Sequence, residues 1–132
     1  MPKFKLNKLV RDKLPVDYSR LGQIVEYKKL SPDEHKNQLI KKIIEEAKEI
    51  QIDDSIENIK SEIADIQQVI NDLMDLCNIT SDQIKVAQKI KYNKKGGFKK
   101  GFFVETIELA ENDEWIAYYR DDKRSTLYPE IK

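Results

Sequence analysis

Two apolar stripes of helical spacing, separated by a short polar break, limit what this chain can fold into more than any other feature. The first stripe runs through residues 39–50 and the second through residues 56–77. Apolar residues that recur at intervals of three and four are typical of a helix with one buried face. The break at residues 51–55 is long enough for the chain to reverse. The sequence therefore predicts two antiparallel helices that pack along their stripes.

Acidic pairs accompany both stripes. Glu46 and Glu49 are three residues apart in the first predicted helix, and Glu62 and Asp65 are three apart in the second. This spacing puts both carboxylates of a pair on one helix face. At about 100° per residue, Glu46 and Glu62 border the stripes, where an unpaired charge is costly, whereas Glu45 lies opposite. The pattern alone leaves two interpretations open: ordinary solvated helix faces, or four carboxylates that converge on a hard divalent cation.

Charge and cysteine content narrow the classes of function. The 132 residues include 24 basic and 24 acidic ones, so no net field favours broad nucleic-acid or membrane binding. The length suits a single domain over residues 1–132. The one cysteine, Cys77, rules out an internal disulfide and is typical of the cytoplasm. No apolar run is long enough to span a bilayer, and the first residues lack the apolar region of a signal peptide.

Three capping boxes indicate where helices begin. They are Ser31 with Glu34, Asp54 with Glu57, and Thr80 with Gln83. The three helices are predicted to end near residues 50, 77 and 95. Strands are predicted at residues 23–27, 102–109 and 115–119, the last two as a hairpin. The N-terminal segment is predicted to be irregular, because Pro15 argues against a helix running through it. The expected fold class is mainly α, an antiparallel helical bundle with a small β element.

Three motifs, taken in order, resemble one family. They are KLVRDKLP at residues 8–15, the two acidic pairs, and KGGF at residues 95–98. Over roughly residues 3–108 they are similar to the all-α nucleoside triphosphate pyrophosphatases, the MazG-like superfamily, which includes phosphoribosyl-ATP pyrophosphohydrolase and the all-α dUTPases. The likeness is greatest to the small single-domain members with a house-cleaning role. One position departs from the pattern: Lys95 stands where the family has arginine, which keeps the charge but loses the bidentate fork.

The resemblance implies hydrolysis of a nucleoside triphosphate, or a related nucleotide, at the α–β bond, with a monophosphate and pyrophosphate as products. Mg²⁺, with Mn²⁺ as a substitute, is the expected cofactor, and its expected ligands are Glu46, Glu49, Glu62 and Asp65. Glu46 is also expected to orient or deprotonate the attacking water. The expected substrate-binding residues are Lys8, Arg11, Lys91 and Lys95. A homodimer or tetramer is expected from the family likeness and from the length of the second stripe, which three helices alone are not expected to cover.

Other functions fit the sequence less well. A P-loop is excluded, because the glycines at residues 96–101 are not followed by Lys-Ser or Lys-Thr. An RNA-recognition motif at residues 100–104 is only partial, and no specific nucleic acid is expected as a partner. The main alternative is a non-enzymatic helical module that pairs with itself or with another protein through the second stripe.

Overall fold

The protein, described over all 132 residues by a computed structural model, forms five helices. They are α1 (Leu14–Arg20), α2 (Pro32–Lys48), α3 (Ile56–Leu76), α4 (Ser81–Lys95) and α5 (Trp115–Arg120). Half of the residues are helical and none lies in a strand. The predicted mainly α class is confirmed, whereas the small β element is absent. No helix combines the length and the apolar character that crossing a membrane requires.

α2 begins where its capping signal predicts. The Ser31 hydroxyl oxygen accepts a hydrogen bond from the backbone N–H of Glu34 at 3.3 Å, and Pro32 stands at the first helical position. Proline suits that position because its missing N–H has no partner to lose there. The helix ends at Lys48, slightly earlier than predicted, with Glu49 as its C-cap.

The cap of α3 differs from the prediction. Ser55, not Asp54, is the N-cap, and its hydroxyl oxygen accepts a hydrogen bond from the N–H of Asn58 at 3.2 Å. Asp54 instead accepts a hydrogen bond from the N–H of Gln51 at 2.8 Å. Both residue types are good caps, so two neighbours of this kind compete for the role. Here Asp54 closes the turn that reverses the chain, and Ser55 starts the helix.

Within residues 1–94, α2 and α3 form the only extensive helix–helix contact. The short connection at residues 49–55 makes the two helices antiparallel neighbours. Leu39 of α2 is the one buried residue, with 2% of its surface exposed, and Ile43, Ile59 and Ile66 are partly buried. The reversal brings the last turns of α2 beside the first turns of α3, which is the arrangement that the site depends on.

Each apolar stripe is wider than the surface covered by the α2–α3 contact. Ile40 and Ile44 of α2 remain 44% and 53% exposed, and Ile56 and Ile63 of α3 remain 73% and 52% exposed. The members of each pair are four or seven residues apart and therefore share a helix face. Aligned apolar residues of this kind normally face another element. The single chain leaves these faces uncovered.

α4 carries the third predicted capping box. The N–H of Thr80 donates to the Gln83 side chain at 2.9 Å, and the N–H of Gln83 donates to the Thr80 hydroxyl oxygen at 3.2 Å. Asn78 turns the chain ahead of it with a φ of 56°, a conformation that asparagine tolerates. α4 packs extensively on no other helix, and all of its residues are exposed, including Ile84 and Ile90.

The segment ahead of α2 differs from the prediction in two places. Leu14–Arg20 forms the short helix α1, and Pro15 is tolerated because it stands in the first turn. Residues 23–27 do not form a strand. An isolated strand leaves its backbone N–H and C=O groups without partners, and this chain offers no second strand to pair with them.

The chain divides into two compact units, Met1–Lys94 and Lys95–Lys132. In the second unit the predicted hairpin is absent: residues 102–109 are irregular and residues 115–119 belong to α5. The N–H of Trp115 donates to the Asp113 carboxylate at 2.8 Å, and the rings of Trp115 and Tyr118 meet edge to face at 5.2 Å. Aromatic contacts between residues three apart favour a helix over a strand at this position.

Candidate metal site

Glu46 of α2 is less accessible to solvent than the glutamate beside it. Its side chain is 16% exposed, compared with 41% for the adjacent Glu45. The difference agrees with the helical wheel, because Glu46 borders the apolar stripe and Glu45 lies opposite it. A carboxylate in this position needs a nearby positive charge to stay ionised at low cost.

Lys42 supplies one such charge. Its Nζ lies 3.1 Å from Glu45 Oε1 and 3.3 Å from Glu46 Oε1, and its side chain is 16% exposed. Burial lowers the pKa of Lys42, but hydrogen bonds to the two glutamates and their attraction outweigh it, so the pKa rises above its ordinary value. The sequence analysis did not include Lys42 among the site residues. The available signal was its position three residues after Leu39, on the buried side of α2.

Three carboxylates from two helices converge at the α2–α3 contact, and we refer to Glu46, Glu62 and Asp65 as the acidic cluster. Each offers one oxygen, and the three oxygens lie within 4.8 Å of one another, all on partly buried residues. The antiparallel reversal brings Glu46 next to α3, and the spacing of three keeps Glu62 and Asp65 on one face. Neither His35 nor Cys77 belongs to the cluster. An all-carboxylate set of donors suits hard divalent cations such as Mg²⁺ and Mn²⁺.

Glu62 is the member of the cluster without a basic partner. Its pKa is raised above the ordinary value, first by desolvation and then by the negative charges of Asp65, Glu49 and Glu46. Glu46 lies in α2 and Glu49 is the C-cap of that helix, whereas Glu62 lies in α3. Part of this repulsion therefore acts between α2 and α3. A cation between the helices would replace the repulsion with attraction.

An arginine from the N-terminal segment reaches the acidic cluster. The Nη2 atom of Arg11 lies 2.6 Å from Oδ1 of Asp65, which is 54 residues further along the chain. The Arg11 side chain is 61% exposed and that of Asp65 is 37% exposed. The sequence analysis expected Arg11 to contact phosphate, and the structure places it against one of the expected metal ligands.

The other predicted site residues of the first unit lie outside this convergence. Glu49 is the exposed C-cap of α2 and is not one of the three converging acids, although its charge acts on Glu62. Lys8 and Lys91 are exposed, and Lys91 lies on α4, which does not pack extensively on α2 or α3. Lys95 is the first residue of the second unit. Within the first unit the structure therefore brings together three of the four predicted acids, with Arg11 beside them.

Concave surfaces of the first unit lie away from the acidic cluster. One runs along α4 and includes Val86, Ala87 and Ile90, and another surrounds the α3–α4 turn near Met74 and Ile79. Neither surface includes a carboxylate of the cluster. The cluster and these concave surfaces are thus separate features of the unit.

Comparisons with protein-family models, with curated proteins and with solved structures give no match for this chain. The likeness to the MazG-like superfamily consequently stays a prediction from the sequence motifs. A function has to be argued from the chemistry of the acidic cluster and of the basic residues around it.

Proposed function

We propose that this protein is a metal-dependent hydrolase that cleaves a nucleoside triphosphate, or a related nucleotide, at the bond between the α and β phosphates. The observation that carries the proposal is the convergence of three carboxylate oxygens of the acidic cluster within 4.8 Å. The reaction itself follows from the motif resemblance, which also suggests a house-cleaning role in the nucleotide pool. The products would be a nucleoside monophosphate and pyrophosphate.

The donor set of the cluster fits Mg²⁺ or Mn²⁺. Mg²⁺ prefers six oxygen ligands and retains several waters, so three carboxylates leave positions for water and phosphate oxygens. Glu62, which lacks a basic partner, gains most from such an ion. Glu49 is proposed as a fourth ligand, because its charge already acts on Glu62 from the end of α2.

The acids and bases have separate roles in the proposed reaction. A divalent ion held by the acidic cluster would neutralise phosphate charge and lower the pKa of a coordinated water. Glu46 is proposed to orient that water or take its proton, since Lys42 holds its carboxylate in place. Attack of the water oxygen at the α phosphorus breaks the bond to the bridging oxygen, and the electron pair leaves with pyrophosphate. Most of the rate enhancement then comes from positioning and charge stabilisation.

Four basic residues are proposed to bind the triphosphate. They are Lys8, Arg11, Lys91 and Lys95. Lys91 and Lys95 are four residues apart at the end of α4 and share one helix face, which suits the β and γ phosphates. Arg11 offers a planar fork that matches two phosphate oxygens, whereas each lysine acts as a point charge.

We place the protein in the cytoplasm as a homodimer or tetramer. The location is inferred from the single free cysteine, Cys77. The oligomer is inferred from the apolar faces that α2 and α3 leave uncovered. No membrane and no specific nucleic acid is proposed as a partner.

A non-enzymatic interaction module is the second candidate function, and the exposed isoleucines of α2 and α3 favour it. The two candidates differ in their response to metal. An ion that binds the folded state raises its thermal stability in proportion to the logarithm of ion concentration over Kd. The hydrolase is expected to melt at a higher temperature in Mg²⁺ or Mn²⁺ than in a chelator, and a pure interaction module is expected to melt at the same temperature.

The proposed reaction is tested with a panel of canonical and damaged nucleotides in Mg²⁺, followed by chromatography of the products. Monophosphate and pyrophosphate are expected, whereas diphosphate and phosphate would contradict the assigned bond.

Asp65→Asn and Glu62→Gln are expected to fold and to lose activity at least about a hundredfold. Mutation of residues that only support metal ligands already lowers activity by up to about a hundredfold. Glu57→Gln and Asp72→Asn are matched controls on exposed positions of α3, and activity is expected to survive in both.

A further inference from the structure

The contact between Arg11 and Asp65 joins the N-terminal segment to α3. No other side-chain hydrogen bond or ion pair connects these two parts of the first unit. The N-terminal segment ahead of α1 has no regular structure, and the 2.6 Å contact is its one side-chain hydrogen bond or ion pair with α3. The Lys3 side chain pairs within the same N-terminal part of the chain, with Glu26. Arg11 therefore supplies the polar link between this segment and the acidic cluster.

The positive charges around the acidic cluster differ in how easily they can leave. Lys42, which pairs with Glu46, belongs to the same helix, and its side chain is only 16% exposed. Arg11, which pairs with Asp65, stands in an irregular segment with a side chain that is 61% exposed. Arg11 can leave without disturbing a helix, because it stands in an irregular segment. Its departure costs little free energy, because a surface ion pair contributes little to stability. Of the two basic side chains beside the cluster, Arg11 is thus the one that a metal ion can replace.

We propose that Arg11 acts as the resident counter-ion of Asp65 in the metal-free protein, and that a divalent ion displaces it and releases the N-terminal segment for phosphate binding. This inference rests on the proposed function, because it assumes that the acidic cluster binds the metal. A guanidinium 2.6 Å from Oδ1 of Asp65 and a divalent ion on the same carboxylate would lie close together, and the repulsion between their positive charges makes the two cations compete. The released guanidinium keeps its charge and its fork for the triphosphate that arrives with the metal.

The competition is measured by titrating the nucleotide-free protein with Mn²⁺ and following free Mn²⁺ by electron paramagnetic resonance. Arg11→Gln is expected to bind Mn²⁺ about threefold to fivefold more tightly than the wild type, the change that loss of one surface ion pair allows. Arg20→Gln is the matched control, because Arg20 pairs with Asp17 of α1 at 4.0 Å and not with the cluster, and its affinity is expected to equal that of the wild type. Circular dichroism verifies that both variants are folded.

A second measurement follows the segment itself. Cleavage after Arg11 by an arginine-specific protease is expected to be faster in Mn²⁺ than in chelator, and cleavage after Arg20 is expected not to change. Wild-type binding of Mn²⁺ together with equal or weaker binding by Arg11→Gln would overturn the displacement while leaving the metal site intact. Failure of wild type, Arg11→Gln and Arg20→Gln alike to bind Mn²⁺ would overturn both the displacement and the proposed function.

Discussion

At the scale of single residues, Glu62 is where the metal-free protein and the metal-bound protein should differ most. It has no basic partner, and desolvation and the surrounding acids raise its pKa. A raised pKa means that the folded state binds the Glu62 proton more tightly than the unfolded state does. The folded state is therefore favoured below the ordinary pKa of 4.5 and loses that advantage as the pH rises through the raised value.

Glu62→Gln removes this ionisation, and its effect on stability should depend on pH. In chelator at pH 7 the variant is expected to have a higher Tm than the wild type, because it lacks the repelled charge. The difference is expected to shrink as the pH is lowered below the ordinary glutamate pKa of 4.5. Saturating Mg²⁺ should reverse the order, since only the wild type keeps all three ligands. Thermal unfolding across the pH range measures both effects.

The control for this prediction is Glu57→Gln, an exposed glutamate of the same helix that pairs with Lys60. Its Tm is expected to show neither the gain in chelator nor the reversal in Mg²⁺. A Glu62→Gln protein that melts below the wild type at pH 7 in chelator would contradict the repulsion within the acidic cluster.

Single residues also show which part of the site the sequence could reveal. The helical wheel separates Glu46 from Glu45 correctly, because both lie on one helix whose buried face is set by its own apolar residues. Arg11 could not be placed against Asp65 in this way. The contact joins residues 54 positions apart and depends on the path of an irregular segment, for which no spacing rule exists.

At the scale of elements, the starts of α2 and α4 were predictable from their capping residues. Ser31 and Thr80 cap α2 and α4 as their sequence signals indicate. The end of the α2–α3 connection offered two adjacent capping residues, and Ser55 took the role predicted for Asp54. The strand predicted at residues 115–119 failed for another reason. Strand propensity of aromatic residues depends on cross-strand neighbours, and α5 has none.

Ser55→Ala tests the observed start of α3. The change removes the acceptor for the N–H of Asn58, and it is expected to lower the free energy of unfolding by about 1 kcal/mol. Ser61→Ala is the control, because Ser61 is exposed inside α3, where alanine is at least as good a helix former. Urea unfolding of the two variants gives the comparison. A Ser55→Ala protein as stable as Ser61→Ala would indicate that Asp54 is the cap after all.

At the scale of the whole molecule, burial is far lower than a chain of this length normally achieves. A domain of about 150 residues buries about 70% of the surface that its unfolded chain exposes, yet Leu39 is the only buried residue here. Ordering the backbone costs on the order of 1 kcal/mol per residue or more, which so small a core does not offset. The sequence indicates only that the second stripe is longer than three helices cover, and the length of the chain suits a domain with a core. The sequence does not reveal which isoleucines remain exposed, because that depends on which part of each stripe is buried in the contact between α2 and α3.

The exposed apolar faces of α2 and α3 predict that a second copy of the chain packs against them. The mass of the wild type by light scattering is expected to be a multiple of 15.5 kDa. Its melting temperature is expected to rise with protein concentration. Ile44→Glu and Ile63→Glu each put a charge on an exposed helical face and are expected to shift the mass to that of one chain. Ile52→Glu is the matched control, since Ile52 is fully exposed in the α2–α3 connection and outside both faces. A wild type that stays at 15.5 kDa at every concentration would contradict the oligomer, and equal masses for all three variants and the wild type would place its interface elsewhere.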